Sequence, residues 1–587
     1  MIYNFCFKDT FIENNDNIES CSEIFSLKPL QTTVELGNDV MNDLEVFHPY
    51  DNESYDTTLI NVFKKETKTL GGKAFLEDLL KHPQCDINIL NKRKESLETM
   101  QNIDPNSDLK ELEQDFLWIF SQKDDTINDL LNGIYFNNMF LKKLNDSEMF
   151  LTSYNIYKIC VSPMIGILSP ILYFIVPFIV LKYKMGDKFN ISFIVYIKLL
   201  WKSIISSQSI FSLMGTNGKI LNRIQVVTYI LSFCFYFQGI VNSTQIAYTT
   251  NKIIRYISDK INNAITFMKQ SVDVVNNNNV FFEKYQQYYV LNKLPTISTK
   301  YINNLSNYTP YKSFSIFSHF GKQLKMYKSI DKTSIVPLIN HLYMIDALSA
   351  INHVRSKLKL SFPNFIEDTK PIFKFTDSWN IHLDIKKTVK NNFDAKNTII
   401  TGPNAGGKST FIKMVCTNIL LAQTYCVCSA SYVKMTPFYM LSSQINIPDN
   451  TGHESLFEAE MNRCLYNLKT IEKFKGYPCM VVMDEIFNST NVIEAISGAY
   501  AILENIANNQ NTLCIITTHL NYLTNLRKTS NFECYCMSVN IDDSIHYPYI
   551  LKKGVSKQYI ALELLKQKGF DKSIIDRALQ IKSKFIK

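Results

Sequence analysis

Hydrophobic and polar positions change rhythm several times along the chain, and those changes divide it. Residues 1–35 are polar and weakly patterned, with several Asn and Asp, and read as a short arm. From Leu36 to Asn155 apolar residues recur at helical spacing, broken at Gly71-Gly72, Pro83 and Pro105. Ile254, Ile257, Ile261, Ile265 and Met268 predict a long helix ending at Asn276–Asn279, and their stripe reads as packing surface. Residues 280–335 are aromatic-rich and polar and suggest a small projecting subdomain, and Leu338 to Val354 is helical again. From Phe373 onward β-like runs and turns take over.

Two stretches break the soluble pattern. Ile159 to Leu181, ICVSPMIGILSPILYFIVPFIVL, carries no charge and is flanked by Lys182 and Lys184, and Ile224 to Val241 is a second uncharged run. Both are long enough to cross a hydrocarbon core; the alternative is buried helices of a large helical domain. Pro163, Pro170 and Pro177 speak against a regular soluble helix, because membrane helices tolerate proline better. Charge complicates a simple pair of spans. The connection 182–223 holds Lys182, Lys184, Lys188, Lys198, Lys202, Lys219 and Arg223 against Asp187, and such a loop prefers the cytosolic side. A re-entrant or interface-lying hairpin, or further spans within 189–214, removes that conflict.

With 587 residues, more than one domain is expected. The formal net charge of +8 permits an anionic partner without demanding one, and the lysines are spread rather than clustered. Thirteen cysteines form no paired metal-binding framework. Cys426/Cys428 and Cys534/Cys536 sit in apolar runs and read as buried thiols of a reducing compartment, with a metal site as the alternative. The opening MIYNFCFKDTFIENND has no basic region followed by an apolar one, so no secretory signal is read, and a cytoplasmic or nuclear-type location with membrane association is expected.

Residues 396–410 read KNTIITGPNAGGKST, in which Gly402, Gly407, Lys408 and Ser409 fit the phosphate-loop pattern between a β-branched strand and an apolar helix. Backbone N–H groups of the bare glycine turn and the positive end of the helix N-terminus converge on phosphates, Lys408 reaches the β and γ phosphates, and Ser409 ligates Mg²⁺. The expected nucleotide-binding set is Gly402, Pro403, Asn404, Ala405, Gly406, Gly407, Lys408, Ser409 and Thr410. Further on, PCMVVMDEIF is a buried strand ending in Asp484, suited to the Mg²⁺ shell, and Glu485, suited to polarise the attacking water. TLCIITTHL is a third strand, ending in His519, which would sense the γ-phosphate at the sheet's carboxyl edge. Between them, Ser455-Leu456-Phe457-Glu458 is a capping box and at least a helix start. Its sharper reading is an ABC-type signature, with Ser455 offered across a dimer to the partner's γ-phosphate.

Together these motifs resemble the MutS DNA mismatch-repair family. TGPNAGGKST resembles its nucleotide loop, LLAQTYCVCSA the following segment with Gln423 in the place of a phosphate-sensing residue, and SLFEAEM its S-T-F-x-x-E-M signature. VVMDEIF and TTHL resemble its Walker B strand and A-T-H-Y motif, and the closing YILKKGVSKQYIALELLKQKGFDKSIIDRALQIKSKF its dimer-clasping helices. HLYMIDALSAINHV, with Asp346 and Ser349, looks like the helix entering the ATPase, and TKTLGGKAFLEDLLKHPQCDINILNKRKESL like the start of the helical core and lever. The resemblance covers roughly 40–150 and 340–587.

It implies an α plus α/β multidomain chain. The expected parts are an arm (1–35), a helical core (36–155), an apolar insertion (156–245), lever helices with a clamp-like subdomain (246–372), an ABC-type P-loop ATPase of mixed sheet and helices (373–550) and a helical dimerisation segment (551–587). It also implies ATP and Mg²⁺ as cofactors, a homodimer, and duplex or branched DNA as partner. A membrane-anchored mechanical ATPase without a repair role is the alternative. Two departures qualify it. The lever begins near residue 40, and the Phe-x-Glu of Thr10-Phe11-Ile12-Glu13 lacks a surrounding recognition domain, so mismatch recognition is not carried over. The loop after Walker B reads Asn488-Ser489-Thr490-Asn491 where the family has Gly-Thr, which implies altered geometry and slow hydrolysis. The Asn, Ile, Lys and Tyr bias suits an AT-rich genome, such as a viral one.

Overall fold

The computed structural model describes residues 33–49, 57–103, 108–120, 133–186, 191–206, 218–278, 320–329, 332–445, 456–487, 489–537, 539–541, 545–556, 562, 565 and 567–585. The phenylalanine-x-glutamate at 11–13 and most of 280–335 lie outside these. Helices include α1 (Val40–Asp43), α2 (Leu59–Lys64), α3 (Leu70–Lys81), α4 (Ile87–Thr99), α5 (Leu109–Phe120), α6 (Glu148–Ile156), α7 (Ser162–Met185) and α8 (Phe193–Ser206). They continue with α9 (Gly218–Asn277), α10 (Phe320–Ser329), α11 (Lys332–Leu358), α12 (Lys408–Thr424), α13 (Leu456–Lys473), α14 (Val492–Ala507), α15 (Leu526–Thr529) and α16 (Lys572–Phe585). The strands are β1 (Glu35–Leu36), β2 (Pro363–Phe365), β3 (Phe373–Ser378), β4 (Asn391–Asp394), β5 (Thr398–Thr401), β6 (Tyr432–Met435) and β7 (Met440–Gln444). After them come β8 (Cys479–Asp484), β9 (Thr512–Thr518), β10 (Glu533–Met537), β11 (Asn540–Ile541), β12 (Ile545–His546) and β13 (Leu551–Lys553).

The chain forms two units, one of residues 1–110, 270–298 and 335–587, the other of 111–269 and 299–334. The first is built on a seven-stranded sheet in the order β1-β7-β8-β9-β5-β10-β13. It is parallel except for the β10·β13 edge. Strands β5, β7 and β9 are buried along their whole length; β5 and β9 accordingly read as apolar and β-branched runs, whereas β7 (MLSSQ) buries polar side chains. A four-stranded sheet, β2-β6-β3-β4, accompanies it.

Two expectations about boundaries change. Glu35 and Leu36 do not belong to a free arm: they pair in parallel with Met440 and Leu441 at the sheet edge. Residues 36–110 also fall in the unit that holds the sheet. Gly71-Gly72 is not a break but the first turn of α3, capped by Thr69, whose side chain accepts from Gly72 N. Glycine is required because α11 crosses here. A Cβ on Gly71 would lie 2.1 Å from the Tyr343 ring, and one on Gly72 would lie 2.3 Å from Asp346 Oδ2. Asp346, fully buried, accepts from Lys68 N, Thr69 N and Thr69 Oγ1 at 2.6–3.0 Å, and burial raises its carboxyl to about 6. Ser349 Oγ accepts from Ile103 N, and Asn352 Nδ2 donates to Leu97 O, so α11 is a polar spine for residues 68–103.

Ile335–Leu358 is long and apolar enough to cross a membrane by length and composition, but 83% of its apolar window is buried, as in a core helix. Cys426, Cys428, Cys514 and Cys534 are buried free thiols, and burial pushes Cys426 and Cys514 up to about 12. The buried-thiol reading therefore holds at Cys426, Cys428 and Cys534, whereas Cys536 is half-buried; no group of three metal-binding side chains occurs among the described residues.

In the second unit, Phe116 meets Phe267 at 5.0 Å, Trp118 meets Tyr256 at 5.3 Å, and Lys260 pairs with Asp115. Ile254, Ile257, Ile261, Ile265 and Met268 are buried, matching the expected stripe. The prolines of 159–181 do not break that segment, which runs as a π turn, Tyr157–Val161, followed directly by α7.

Candidate nucleotide site

β5 ends at Thr401, the chain turns through residues 402–407, and α12 starts at Lys408. Gly407 has φ +92°, and a Cβ there would meet Tyr549 Cδ1 at 2.9 Å. Glycine is needed on both counts. Ala405 also holds a left-handed φ of +61°. The turn opens onto a cavity of about 870 Å³ lined by residues 403–411 together with Glu460, Asp484, Glu485 and Tyr549.

Lys408 is buried in its stem and its Nζ donates to Gly402 O (3.0 Å) and Pro403 O (3.3 Å). It also pairs with Glu485 Oε1 at 3.2 Å. Glu485 holds φ +50°, and its N–H is fixed to Thr517 O at 3.1 Å. Its other oxygen lies 3.8 Å from His519 Nδ1. Asp484 is hydrogen-bonded by Thr517 Oγ1 and by the Ser409 hydroxyl; burial nevertheless raises its carboxyl above the ordinary range. The fold thus gathers Lys408, Ser409, Asp484, Glu485 and His519 from the carboxyl ends of β5, β8 and β9. The oxygen pair Ser409–Asp484 is a hard donor set of the kind that Mg²⁺ takes, with phosphates and water completing its shell.

Gln423 is elsewhere. It lies fifteen residues along α12 from Lys408, roughly 22 Å at helical rise. Its buried amide donates to Gln84 O (2.8 Å) and Phe438 O (2.9 Å) and accepts from Phe438 N (3.0 Å). All of its hydrogen-bonding capacity on these atoms goes to backbone, so its role is structural and the expected nucleotide contact is corrected. Ser455 and Asn488 lie outside the described residues.

The altered loop after β8 has its own supports. Left-handed backbone falls on Glu485 and Phe487. Ser489 Oγ donates to Glu460 Oε2 (3.1 Å), and Phe487 packs edge-on against Phe457 (5.4 Å), tying the loop to α13. The N-terminal segment holds both α13 and β7: Arg463 Nε of α13 donates to Asp39 Oδ2 (2.9 Å), and Asp43 Oδ2 accepts from Ser443 Oγ of β7 and from Ile445 N just beyond it. Tyr549 and Asp43 escaped the sequence reading, whereas Glu460 is the glutamate of the SLFEAEM signature. The sole signal for Tyr549 is an aromatic pair, Tyr547 and Tyr549, just before Gly554-Val555-Ser556.

A parallel sheet with a glycine turn, a buried lysine and paired acids at its carboxyl edge is the arrangement of a P-loop nucleotide-binding domain. Residues 398–586 match the family model described as MutS domain V. A DNA mismatch repair protein MutS of Ehrlichia chaffeensis is 25% identical over 362 residues, which is 57% of this chain and 44% of that protein. One of Ruminiclostridium cellulolyticum is 30% identical over 191 residues, 32% of this chain and 21% of that protein. Residues 398–586 are thus similar to domain V of the MutS family, and the chain resembles MutS proteins over part of its length. Its matches span less than half the length of these relatives.

Proposed function

We propose that the chain is a Mg²⁺-dependent ATPase that works as a homodimer and couples its nucleotide state to duplex or branched DNA. The observation that carries this reading is the meeting of Lys408, Ser409, Asp484 and Glu485 on one cavity behind the glycine turn. On ATP binding, the β and γ phosphates replace Glu485 as the partner of Lys408, and N–H groups of the turn and of the α12 N-terminus take the phosphate oxygens. Mg²⁺, held by Ser409 and Asp484, supplies charge neutralisation on the phosphates. Released from Lys408, Glu485 accepts the proton of the attacking water while His519 contacts the γ-phosphate. Tyr549, against Gly407, offers its ring to the adenine face. Ser455 of a second copy completes the site, which makes dimerisation part of catalysis. The DNA half is supported by the relatives named for DNA mismatch repair.

Steady-state hydrolysis tests the enzyme half. Lys408→Ala should abolish nucleotide binding and turnover together. Glu485→Gln should lower kcat by about 10²-fold or more while binding nucleotide as tightly as wild type or a few-fold tighter. Turnover persisting in Glu485→Gln would remove the assigned base. A gel shift at low salt, with and without nucleotide, tests the other half, and no binding to duplex or branched DNA in either state would end it.

A further inference from the structure

The apolar stretch that the nucleotide chemistry leaves unused lies in the second unit. Its base is a packed bundle of α5 from Glu111, α6, the later part of α9 and α10. There Gly321 is pressed onto Glu148 O and Thr152, Trp118 meets Tyr256 and Tyr327, and Ile254 to Met268 are buried. Beyond that base the character of two helices changes abruptly. Among the described side chains of 161–184, Pro163 alone is buried, and none is buried over 231–246 of α9. Yet these are Ile, Leu, Val and Phe: Ile167 is 51%, Val176 49% and Phe235 68% exposed. On α7 the exposed apolar positions 164, 165, 167, 168, 179, 180 and 181 point to most sides of the helix rather than to one stripe.

The two helices pack on each other. A Cβ on Gly166 would come 3.3 Å from Ser243 Oγ, and Tyr236 OH donates to Ile167 O at 3.1 Å. Because both leave the same base, they run antiparallel, and their uncharged segments lie side by side. The run 159–181 rises roughly 34 Å, against about 30 Å for the hydrocarbon core of a bilayer. Tyrosines mark its ends, with Tyr157 and Tyr248 exposed toward the base and Tyr183, 89% exposed, at the far end. Helix α8 caps that far end. Phe193 meets Phe178 edge-on and Tyr196 meets it at a tilt, both with ring centroids 5.1 Å apart, while Ile194, Ile197, Lys198 and Lys202 stay exposed.

We propose that α7 and the apolar half of α9 form a hairpin inserted into a lipid bilayer, with α8 lying in the headgroup layer at its tip. An all-round apolar helix pair of hydrocarbon-core length fits acyl chains rather than a single partner groove. The lysines 182, 184, 198 and 202 then sit among anionic headgroups as part of an amphipathic cap, so the basic connection no longer needs to behave as a free aqueous loop. This inference is independent of the nucleotide reading.

The full chain, purified in detergent, is mixed with phosphatidylcholine–phosphatidylglycerol vesicles, freed of detergent, floated on a density gradient and washed with alkaline carbonate. Wild type should float and resist the wash. The triple variant Ile165→Lys, Ile179→Lys, Phe235→Lys alters only water-facing positions if no membrane is involved, and should float at least tenfold less. Far-UV circular dichroism checks that it remains folded. As a second reading, Ile167→Trp should be quenched by lipids brominated deep in the acyl chain. Wild type that stays in the supernatant without detergent, or a triple variant that floats like wild type, would overturn the proposal. So would a discrete lipid-free oligomer that protects Ile167→Trp from aqueous quenchers, since the cover would then be a second copy.

Discussion

In the resting site Lys408 is satisfied by two backbone carbonyls and the Glu485 carboxylate, so its charge is never left bare before a phosphate arrives. Under the proposed function, nucleotide takes the lysine and frees the Glu485 carboxylate. A different charge governs the joint of α3 and α11. Burial raises Asp346 to about 6, above the 3.8 that it regains on unfolding. The folded chain therefore keeps this proton at pH values where the unfolded chain has lost it, and the stability contributed at this site falls as pH rises through that interval. The urea-unfolding free energy of wild type relative to Asp346→Asn should accordingly grow by on the order of 2 kcal/mol on going from about pH 7 to pH 4. A pH-independent difference would show that the carboxyl is not held up by burial.

At the scale of elements, close approach of α3 to α11 is what Gly71 permits. Gly71→Ala should lower the urea midpoint, by about 2 kcal/mol in free energy, and Tyr343→Leu in the same chain should recover part of that loss. Helix α13 illustrates a second dependence. Its Glu460 steadies the loop after β8, and its Arg463 is anchored to Asp39 beside β1. Arg463→Ala should thus reduce kcat for ATP roughly tenfold with little change in nucleotide affinity, measured by fluorescent-nucleotide titration. The elements that carry their reason locally were legible in the sequence: β5 with its glycine turn, β8 ending in two acids, β9 ending in His519, and the Ile254–Met268 stripe. Those that depend on distant partners were not. Two residues pairing as β1 have no periodicity to detect, Gly71-Gly72 looks like a break until Tyr343 crosses it, and Gln423 sits near motif residues in sequence yet a helix length away in space. Tyr549 reaches the cavity only because β13 returns antiparallel beside β10.

For the whole molecule, the proposed completion of the site by a second copy makes a distinctive prediction. Lys408→Ala and Ser455→Ala chains should each be inactive alone, whereas an equal mixture allowed to exchange should recover about a quarter of wild-type hydrolysis, one intact site in half of the dimers. A mixture as inactive as its parts would leave each site to a single chain. The edge strand β1 has a further consequence, for how such a chain can be cut or recombined. Strand β7, buried at every residue, meets residues 35–36 on one side, and Asp43 ties down Ile445 just beyond it. A fragment started at the first residue of the motif-bearing region would present β7 as a naked, sticky edge and leave a buried donor unanswered. The engine is therefore discontinuous in the gene: excision, domain fusion or shuffling that moves 373–587 without the stretch around 35–45 should yield aggregates rather than a transferable module.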